Sequence, residues 1–254
     1  MITQIGLYLL VSLGINLFLF IPAFIFRTDK LTDLSYSISF ATLITMAYLF
    51  SSNKTINGVI LLSMVLLWAF RLGAFLFIRI QFTKKDKRFD GIRENVLSFF
   101  KFWVLQGVAV WIVLLPALMY LSNTNSDIFL IGAIIWIVGF IIESLADSQK
   151  FKFKKQKRNE KKFIQRGLWK YSRHPNYFGE MLCWIGIYLL VFPSLTTPQA
   201  IIGVISPLSI ITLLVFVTGL PPLERKAEDI WGKTNTYREY KQKTNILIPW
   251  FPKK

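Results

Sequence analysis

Residues 167–180, GLWKYSRHPNYFGE, run directly into the apolar stretch MLCWIGIYLLVF at residues 181–192. The polar half contains the only histidine of the chain, His174, among arginine, tyrosine, amide and carboxylate side chains. Such side chains at the end of a membrane helix are costly unless they pair or bind a ligand. Pro175 suits the first turn of a helix. The stretch therefore predicts a membrane helix that begins near Pro175, with Arg173 and His174 at its N-terminus.

The N-terminus of such a helix is a favourable place for an anion. Backbone N–H groups point out of it, and the helix dipole makes it positive. We therefore expect Arg173, His174 and Asn176 to contact a phosphate-bearing ligand. The alternative is that Arg173 and Lys170 only anchor the helix end among lipid headgroups.

The composition is typical of a polytopic membrane protein. Of the 254 residues 54% are hydrophobic, and the apolar residues fall in blocks long enough to cross a bilayer. A single cysteine, Cys183, excludes an intrachain disulfide framework and a cysteine-ligated zinc site. The single histidine excludes a histidine-cluster metal site, so we expect no metal.

Seven spans are predicted in one domain, roughly at residues 5–26, 35–50, 57–80, 98–121, 128–145, 177–193 and 200–220. The first lacks a basic segment before it and is expected to be retained rather than cleaved as a signal peptide. Every second loop is rich in lysine and arginine: five in 81–97, eleven in 146–176 and eight after 220, against none in 122–127 and 194–199. The positive-inside rule then places the amino terminus outside and the tail in the cytoplasm. This distribution accounts for the net charge of +16 without a nucleic-acid partner, for which the chain has no motif.

Two arginines lie in the third span, in the stretch WAFRLGAFLFIRI at residues 68–80. Arg71 and Arg79 are a little over two turns apart and share nearly the same helix face. Arg79 can extend to the cytoplasmic interface. Arg71 lies roughly 12 Å deeper and needs a carboxylate, a phosphate or a water-filled cavity. A buried structural ion pair is the alternative to a ligand site. The following loop, KKDKRFDGIR at residues 84–93, either folds over the site or is simply solvated.

The fifth span ends in IIESLADSQKFKFKK at residues 141–155. Glu143 and Asp147 are four residues apart and therefore lie on one helix face. Facing a cavity, two carboxylates and the Gln149 amide would suit ribose hydroxyls and a nicotinamide-like amide. The alternative is a helix terminus whose carboxylates balance Lys150 and Lys154.

The tail after the seventh span begins with Pro221 and Pro222, which are predicted to end that helix. Residues 223–251 then form a short amphipathic segment with Tyr237 and Tyr240, ending in an apolar patch that contains tryptophan. The alternative is that this tail only lies on the membrane surface.

Four motifs together resemble one known family: Asp147-Ser148-Gln149-Lys150, residues 167–180, Pro222-Leu223-Glu224-Arg225, and Tyr237 and Tyr240 followed by Ile248-Pro249-Trp250. This pattern is similar to the steroid 5-alpha-reductase-like membrane family, most closely to its bacterial branch. The segment RHPNYFGE is also similar to the sterol C14 and C7 reductases. A looser version occurs in isoprenylcysteine carboxyl methyltransferases, which bind S-adenosylmethionine.

The resemblance implies an all-α membrane reductase of about seven transmembrane helices, which binds NADPH in a cytoplasm-facing cavity. It also implies that the protein lies in the bacterial inner membrane. Asn176 and Glu180 match residues that contact the nicotinamide, Asp147 a cofactor-contacting aspartate, and Arg71 an arginine of the cavity. Two positions depart from the family, since Glu143 replaces an asparagine and Lys154 an arginine.

The acid that polarises the substrate carbonyl in that family falls by spacing near Asp33, which an apolar setting would keep protonated. Its partner tyrosine falls on Trp68, so that tyrosine is absent from the matching position. Because no GxGxxG motif occurs, the dinucleotide would be held outside any Rossmann fold.

These considerations predict an NADPH-dependent reductase of a carbon–carbon double bond in a steroid-like or other lipophilic enone, with membrane lipids as further partners. Asp33 and Glu180 are the candidate catalytic residues. The candidate cofactor-binding residues are Arg71, Arg79, Glu143, Asp147, Lys150, Lys154, Tyr171, Arg173, His174, Asn176, Glu224, Arg225, Tyr237 and Tyr240. The alternatives are an S-adenosylmethionine-dependent lipid or isoprenoid methyltransferase and a non-catalytic lipid-binding membrane protein.

Overall fold

The structure is a computed structural model that describes residues 2–51, 54–83, 89 and 91–253. The described residues are predominantly helical and contain no β-strand. The long helices are α1 (Ile2–Ile25), α2 (Lys30–Leu49), α3 (Ile56–Thr83), α4 (Val96–Ser122), α5 (Leu130–Lys155) and α6 (Pro175–Val191). Shorter helices follow, namely α7 (Thr197–Gly203), α8 (Ile205–Thr212), α9 (Leu220–Trp231) and α10 (Asn235–Lys243). The prediction of an all-α polytopic membrane fold is confirmed.

Six helical segments of the described chain are long and apolar enough to cross a membrane, and they include five of the long helices. The exception is α2, which forms a helix where the second span was predicted but is not one of the six. Its composition gives the reason. Serine, threonine and aspartate occupy five of the ten positions in its first half, the stretch KLTDLSYSIS at residues 30–39.

The sixth segment, Thr197–Trp231, differs from the predicted seventh span. It consists of α7, α8, a π-helical turn at Leu213–Val217 and α9. The prolines were predicted to end the helix, but Pro221 and Pro222 lie in the first turn of α9, where a missing N–H removes no helical hydrogen bond. The break falls earlier, at Gly219, where a Cβ atom would collide with the backbone of Leu214.

The chain divides into two compact units, and the first comprises the chain up to Phe129 together with Leu190–Ser206. In this unit α2 packs against α1, α3 and α4. The interface contains a buried polar network. The Asn16 amide donates to Ser39 Oγ at 3.0 Å, and the Gln106 amide donates to Asn16 Oδ1 at 2.8 Å and to Ser35 Oγ at 2.6 Å. These hydrogen bonds explain how α2 can keep its hydroxyl side chains in an apolar bundle.

The second unit comprises Leu130–Leu189 and the chain from Pro207 onward. Helices α5 and α6 approach each other closely through glycines. A Cβ atom at Gly179 would lie 2.6 Å from the backbone nitrogen of Glu143, and one at Gly186 would lie 2.7 Å from the carbonyl oxygen of Gly132. Small residues allow membrane helices to pack at such short range. This packing fixes where α6 begins relative to the C-terminal end of α5.

Candidate functional site

The loop that precedes α6 is attached to the C-terminal end of α5. It contains a 3-10 helix, Gly167–Lys170, that begins at a glycine with φ of +63°. A Cβ atom at Gly167 would collide with the Gln149 side chain, whose Oε1 accepts from the backbone N–H of Leu168 at 2.9 Å. The indole of Trp169 is buried and donates to the carbonyl oxygen of Ala146 at 3.0 Å. Gln149 is thus a loop anchor.

The same loop is attached to the C-terminal tail on its other side. The backbone N–H of Arg173 donates to the carbonyl oxygen of Asn245 at 2.8 Å. The backbone N–H of Trp250 donates to the carbonyl oxygen of Tyr171 at 3.0 Å. The Tyr240 hydroxyl donates to the carbonyl oxygen of Trp169 at 2.6 Å. Two parts of the chain that are distant in sequence therefore hold the segment that carries His174.

Arg173 and His174 meet one carboxylate, that of Glu224 on α9. Nε2 of His174 lies 2.7 Å from Glu224 Oε1, and Nη1 of Arg173 pairs with Glu224 Oε2. The side chains are largely buried, with 7% of His174, 11% of Arg173 and 19% of Glu224 exposed. Nδ1 of His174 and Nε of Arg173 are buried without a hydrogen-bond partner among the residues that the structure describes.

Burial lowers the pKa of His174, and the nearby charges of Lys150 and Arg173 lower it further, whereas the hydrogen bond to Glu224 raises it. Because Arg173 also pairs with Glu224, the carboxylate offsets the effect of burial on the His174 pKa only in part. A neutral imidazole carries one proton, and the carboxylate can only accept, so that proton lies on Nε2. Nδ1 is then a buried acceptor, which a hydroxyl or amide N–H of a ligand would satisfy.

Two predicted tyrosines support the loop from within an aromatic cluster formed by Phe163, Trp231, Tyr237 and Tyr240. Tyr237 is almost fully buried, with 3% of its surface exposed. Burial raises the pKa of both tyrosines, so both phenols keep their protons near neutral pH. The Tyr240 hydroxyl donates its hydrogen bond to the carbonyl oxygen of Trp169, which indicates that Tyr240 positions the loop.

The two carboxylates of α5 lie four residues apart on one helix face. Glu143 and Asp147 are both buried in the second unit. Oε2 of Glu143 lies 3.9 Å from Sγ of Cys183 on α6. Asn176 and Glu180, both half-buried, lie four residues apart on one face of α6.

The basic residues of the second unit are spread around the loop. Nζ of Lys150 lies 4.4 Å from the centre of the Trp169 ring, and Nζ of Lys154 lies 5.2 Å from that of Trp231. Arg225 is exposed on α9. Tyr171 packs edge-on against Phe251, with 6.0 Å between ring centres.

Three predicted site residues belong to the first unit. Arg79 pairs with Asp33 at 3.3 Å, and both side chains are partly exposed. Asp33 was predicted to lie in an apolar setting, which is wrong, because Arg79, a little over two turns after Arg71 on α3, pairs with it. Arg71 is half-buried in α3.

A family model described as "Protein of unknown function (DUF1295)" matches residues 19–244. The chain belongs to the DUF1295 family. No curated protein and no solved structure matches it. The DUF1295 match includes every predicted site residue, from Asp33 to Tyr240, and ends immediately before the tail segment that holds the loop.

Sequence reasoning missed several contacts of this DUF1295 protein. Tyr36, one turn after Asp33, packs edge-on against Trp68 with 6.4 Å between ring centres. Trp68 stands where the resembling family has a tyrosine, so Tyr36 places a phenol next to that position. Arg93, placed by the sequence in a solvated or covering loop, is buried and pairs with Asp29 at 3.2 Å. Asp29 is distant from Arg93 in sequence, and no spacing rule pairs the two residues. The remaining charges of that loop, at residues 84–88 and 90, lie outside the described residues.

Proposed function

We propose that this protein is an NADPH-dependent membrane reductase that reduces a carbon–carbon double bond in a steroid-like or other lipophilic enone. One observation carries the proposal. At the start of a membrane helix, Arg173, His174 and Glu224 form a buried polar cluster in which His174 keeps an unpartnered acceptor, Nδ1. The cluster lies within the motif that resembles the steroid 5-alpha-reductase-like family, and that resemblance supplies the reaction.

The residues of the second unit fit such a cofactor. The carboxamide of nicotinamide has an NH2 group, which could donate a hydrogen bond to the unpartnered Nδ1 of His174. Asn176 and Glu180 present an amide and a carboxylate on one face of α6 for the same end of the cofactor. Lys150 and Lys154 supply positive charge toward phosphates. Among the described residues there is no parallel sheet, which agrees with the absence of a GxGxxG motif.

Bound NADPH would supply the hydride for an electron-poor double bond. The chain's own task is to orient the carboxamide, exclude water and donate a proton toward the substrate carbonyl oxygen. Asp33 and Tyr36, one turn apart on α2, are the candidate donors for that oxygen. Asp33 is committed to an ion pair with Arg79, which favours Tyr36 as the donor.

The proposed setting is the cytoplasmic side of a bacterial inner membrane. The six apolar segments support an integral membrane protein. The eleven basic residues of loop 146–176 support placing the loop before α6 on the cytoplasmic side. NADPH is available there.

The first test is thermal stabilisation of the detergent-purified protein by NADPH, NADH and S-adenosylmethionine. A ligand that binds only the folded state stabilises it by about 2.7 kcal/mol at a hundredfold excess over its dissociation constant. We expect NADPH to stabilise the protein, and we expect Asn176→Ala to weaken that effect while the unliganded melting temperature changes little. Lys243→Ala, which removes only an exposed ion pair with Glu239, serves as the control and keeps the full effect.

Two other outcomes of this test would assign a different function. Stabilisation by S-adenosylmethionine alone would replace the reductase with a lipid or isoprenoid methyltransferase. No response to any of the three ligands would favour a non-catalytic lipid-binding protein.

A further inference from the structure

The C-terminal strap, residues 245–253, runs along the loop that precedes α6. Asn245 and Ser172 form an isolated parallel bridge, and the Ser172 hydroxyl donates to the carbonyl oxygen of Leu247 at 2.6 Å. Together with the hydrogen bond from Trp250 to Tyr171, these contacts hold both halves of the strap against the loop. Hydrogen bonds within the protein therefore hold the strap in position.

Those hydrogen bonds also fix the depth of the strap relative to the membrane. Its partners lie at residues 171–173, and the apolar segment Pro175–Ser194 begins two residues later. A residue bonded to this loop is thus beside the end of a membrane helix, where water and hydrocarbon meet. The strap itself lies outside the six apolar segments.

The strap exposes large apolar side chains that the protein does not cover. The exposed fractions are 42% for Ile246, 60% for Ile248, 67% for Trp250 and 75% for Phe251. Tryptophan and other amphipathic or aromatic side chains are enriched at the boundary between membrane and water. Since these side chains lie beside the end of a membrane helix, the bilayer interface is a more favourable surrounding for them than bulk water.

The charges around the strap complement an anionic lipid surface. Arg166 and Lys170 are exposed on the loop that the strap covers, and Lys243 and Lys253 are exposed at the two ends of the strap. The Lys253 N–H donates to the carbonyl oxygen of Lys243 at 2.9 Å, which brings these two basic residues together. Basic residues next to apolar ones at a membrane surface bind anionic headgroups.

We infer that the C-terminal strap is a membrane-interface anchor, which inserts Ile248, Trp250 and Phe251 among the headgroups of a bilayer containing anionic lipids. Because the strap is hydrogen-bonded to the loop that carries Arg173 and His174, this anchoring also fixes the height of that loop above the membrane. The inference does not depend on which ligand the loop binds.

Spin labels on single cysteines test the anchor. Cys183 is the only cysteine and is buried, so Cys183→Ser provides a cysteine-free background once its thermal stability is shown to match the natural protein. Labels are placed by Ile248→Cys and, in a second protein, Trp250→Cys. Gln242→Cys, exposed on α10, is the water reference, and Phe216→Cys, 71% exposed within an apolar segment, is the lipid reference.

The protein is reconstituted in phosphatidylcholine vesicles with and without phosphatidylglycerol, and collisions of each label with oxygen and with a water-soluble nickel chelate are measured. We expect the oxygen-to-nickel ratio at positions 248 and 250 to lie several-fold above that at position 242 and below that at position 216. Adding phosphatidylglycerol should raise it further.

Two results would overturn the anchor. A ratio equal to that of position 242 at both sites would place the strap in water. Protection from both reagents would show that protein, either a partner or a second copy, covers the strap. Since no cofactor or substrate is present, neither result bears on the proposed reductase activity.

Discussion

At the residue scale, the site depends on Glu224, which serves two partners at once. Its carboxylate pairs with the Arg173 guanidinium through one oxygen and with the His174 ring through the other. Both partners lie in the segment immediately before α6, whereas Glu224 comes from α9, so a single side chain ties distant parts of the chain together. Removing its charge leaves a largely buried guanidinium without a counter-ion.

We therefore expect Glu224→Gln to destabilise the protein by about 1–3 kcal/mol, below the figure for a fully buried pair because Glu224 is partly exposed. Chemical unfolding in detergent measures the change. Lys241→Ala, which breaks an exposed ion pair with Glu228, is the matched control and should cost less than about 1 kcal/mol. Equal losses in both variants would contradict the buried cluster.

The protonation of His174 gives the stability of the protein a pH dependence. Its folded-state pKa is lowered by burial from the ordinary value of 6.5, so the unfolded chain binds a proton first as pH falls. The contribution of neutral His174 to the free energy of unfolding is complete above pH 6.5. It is lost progressively below that pH, at no more than about 1.4 kcal/mol per pH unit. The charged groups around the ring are Lys150 on α5, Glu224 on α9 and the adjacent Arg173.

His174→Gln keeps a donor toward Glu224 but does not titrate. We expect the melting temperature of the natural protein to fall more between pH 7.5 and pH 5 than that of this variant. A melting scan over that range in one detergent measures both curves. Parallel curves would show that His174 does not change its protonation on unfolding.

At the element scale, α5 and α6 are positioned by their glycines. Gly139 and Gly179 contact each other's helix backbone, and Gly132 and Gly186 repeat the contact two turns away. Because Asn176 and Glu180 lie on α6 while Glu143 and Asp147 lie on α5, this close packing sets the spacing between the two groups of polar side chains.

A methyl group at Gly179 would meet backbone atoms of α5, which cannot move as a flexible side chain would. We expect Gly179→Ala to cost about 1–3 kcal/mol in unfolding free energy, through overpacking. Gly14→Ala is the control, because no atom lies within 4 Å of its Cβ position and alanine is the better helix former by about 1 kcal/mol. Destabilisation by both changes to the same extent would argue against the close contact.

At the scale of the whole molecule, the number of crossings decides the orientation of the two ends. Six apolar segments place the amino terminus and the tail on the same side, whereas a seventh crossing by α2 places them on opposite sides. The alternation of basic loops predicts seven. The polar network that joins α2 to α1 and α4 gives it the internal hydrogen bonds that a polar membrane helix needs.

We predict that α2 crosses the membrane. In the Cys183→Ser background, Lys54→Cys should react with a membrane-impermeant maleimide on intact cells, and Lys30→Cys only after permeabilisation. Both lysines are exposed, so access from water is the only difference between them. The same labelling behaviour at both sites would mean that α2 does not cross, and the two ends would then share one side.

The apolar blocks by themselves determined that this is an all-helical membrane protein, because a spanning helix must satisfy its backbone within one continuous stretch of sequence. Local signals likewise placed the start of α6 at Pro175 and put Glu143 and Asp147 on one face. Contacts between distant residues were decided only by the tertiary structure. No spacing rule pairs Glu224 with Arg173 and His174, or Asp33 with Arg79, since those distances depend on how helices pack. For the same reason the sequence could not show that His174 Nδ1 lacks a partner or that Tyr240 uses its hydroxyl on Trp169. A hydrogen bond is satisfied or left open by the neighbours that folding brings, and these lie fifty to seventy residues away along the chain.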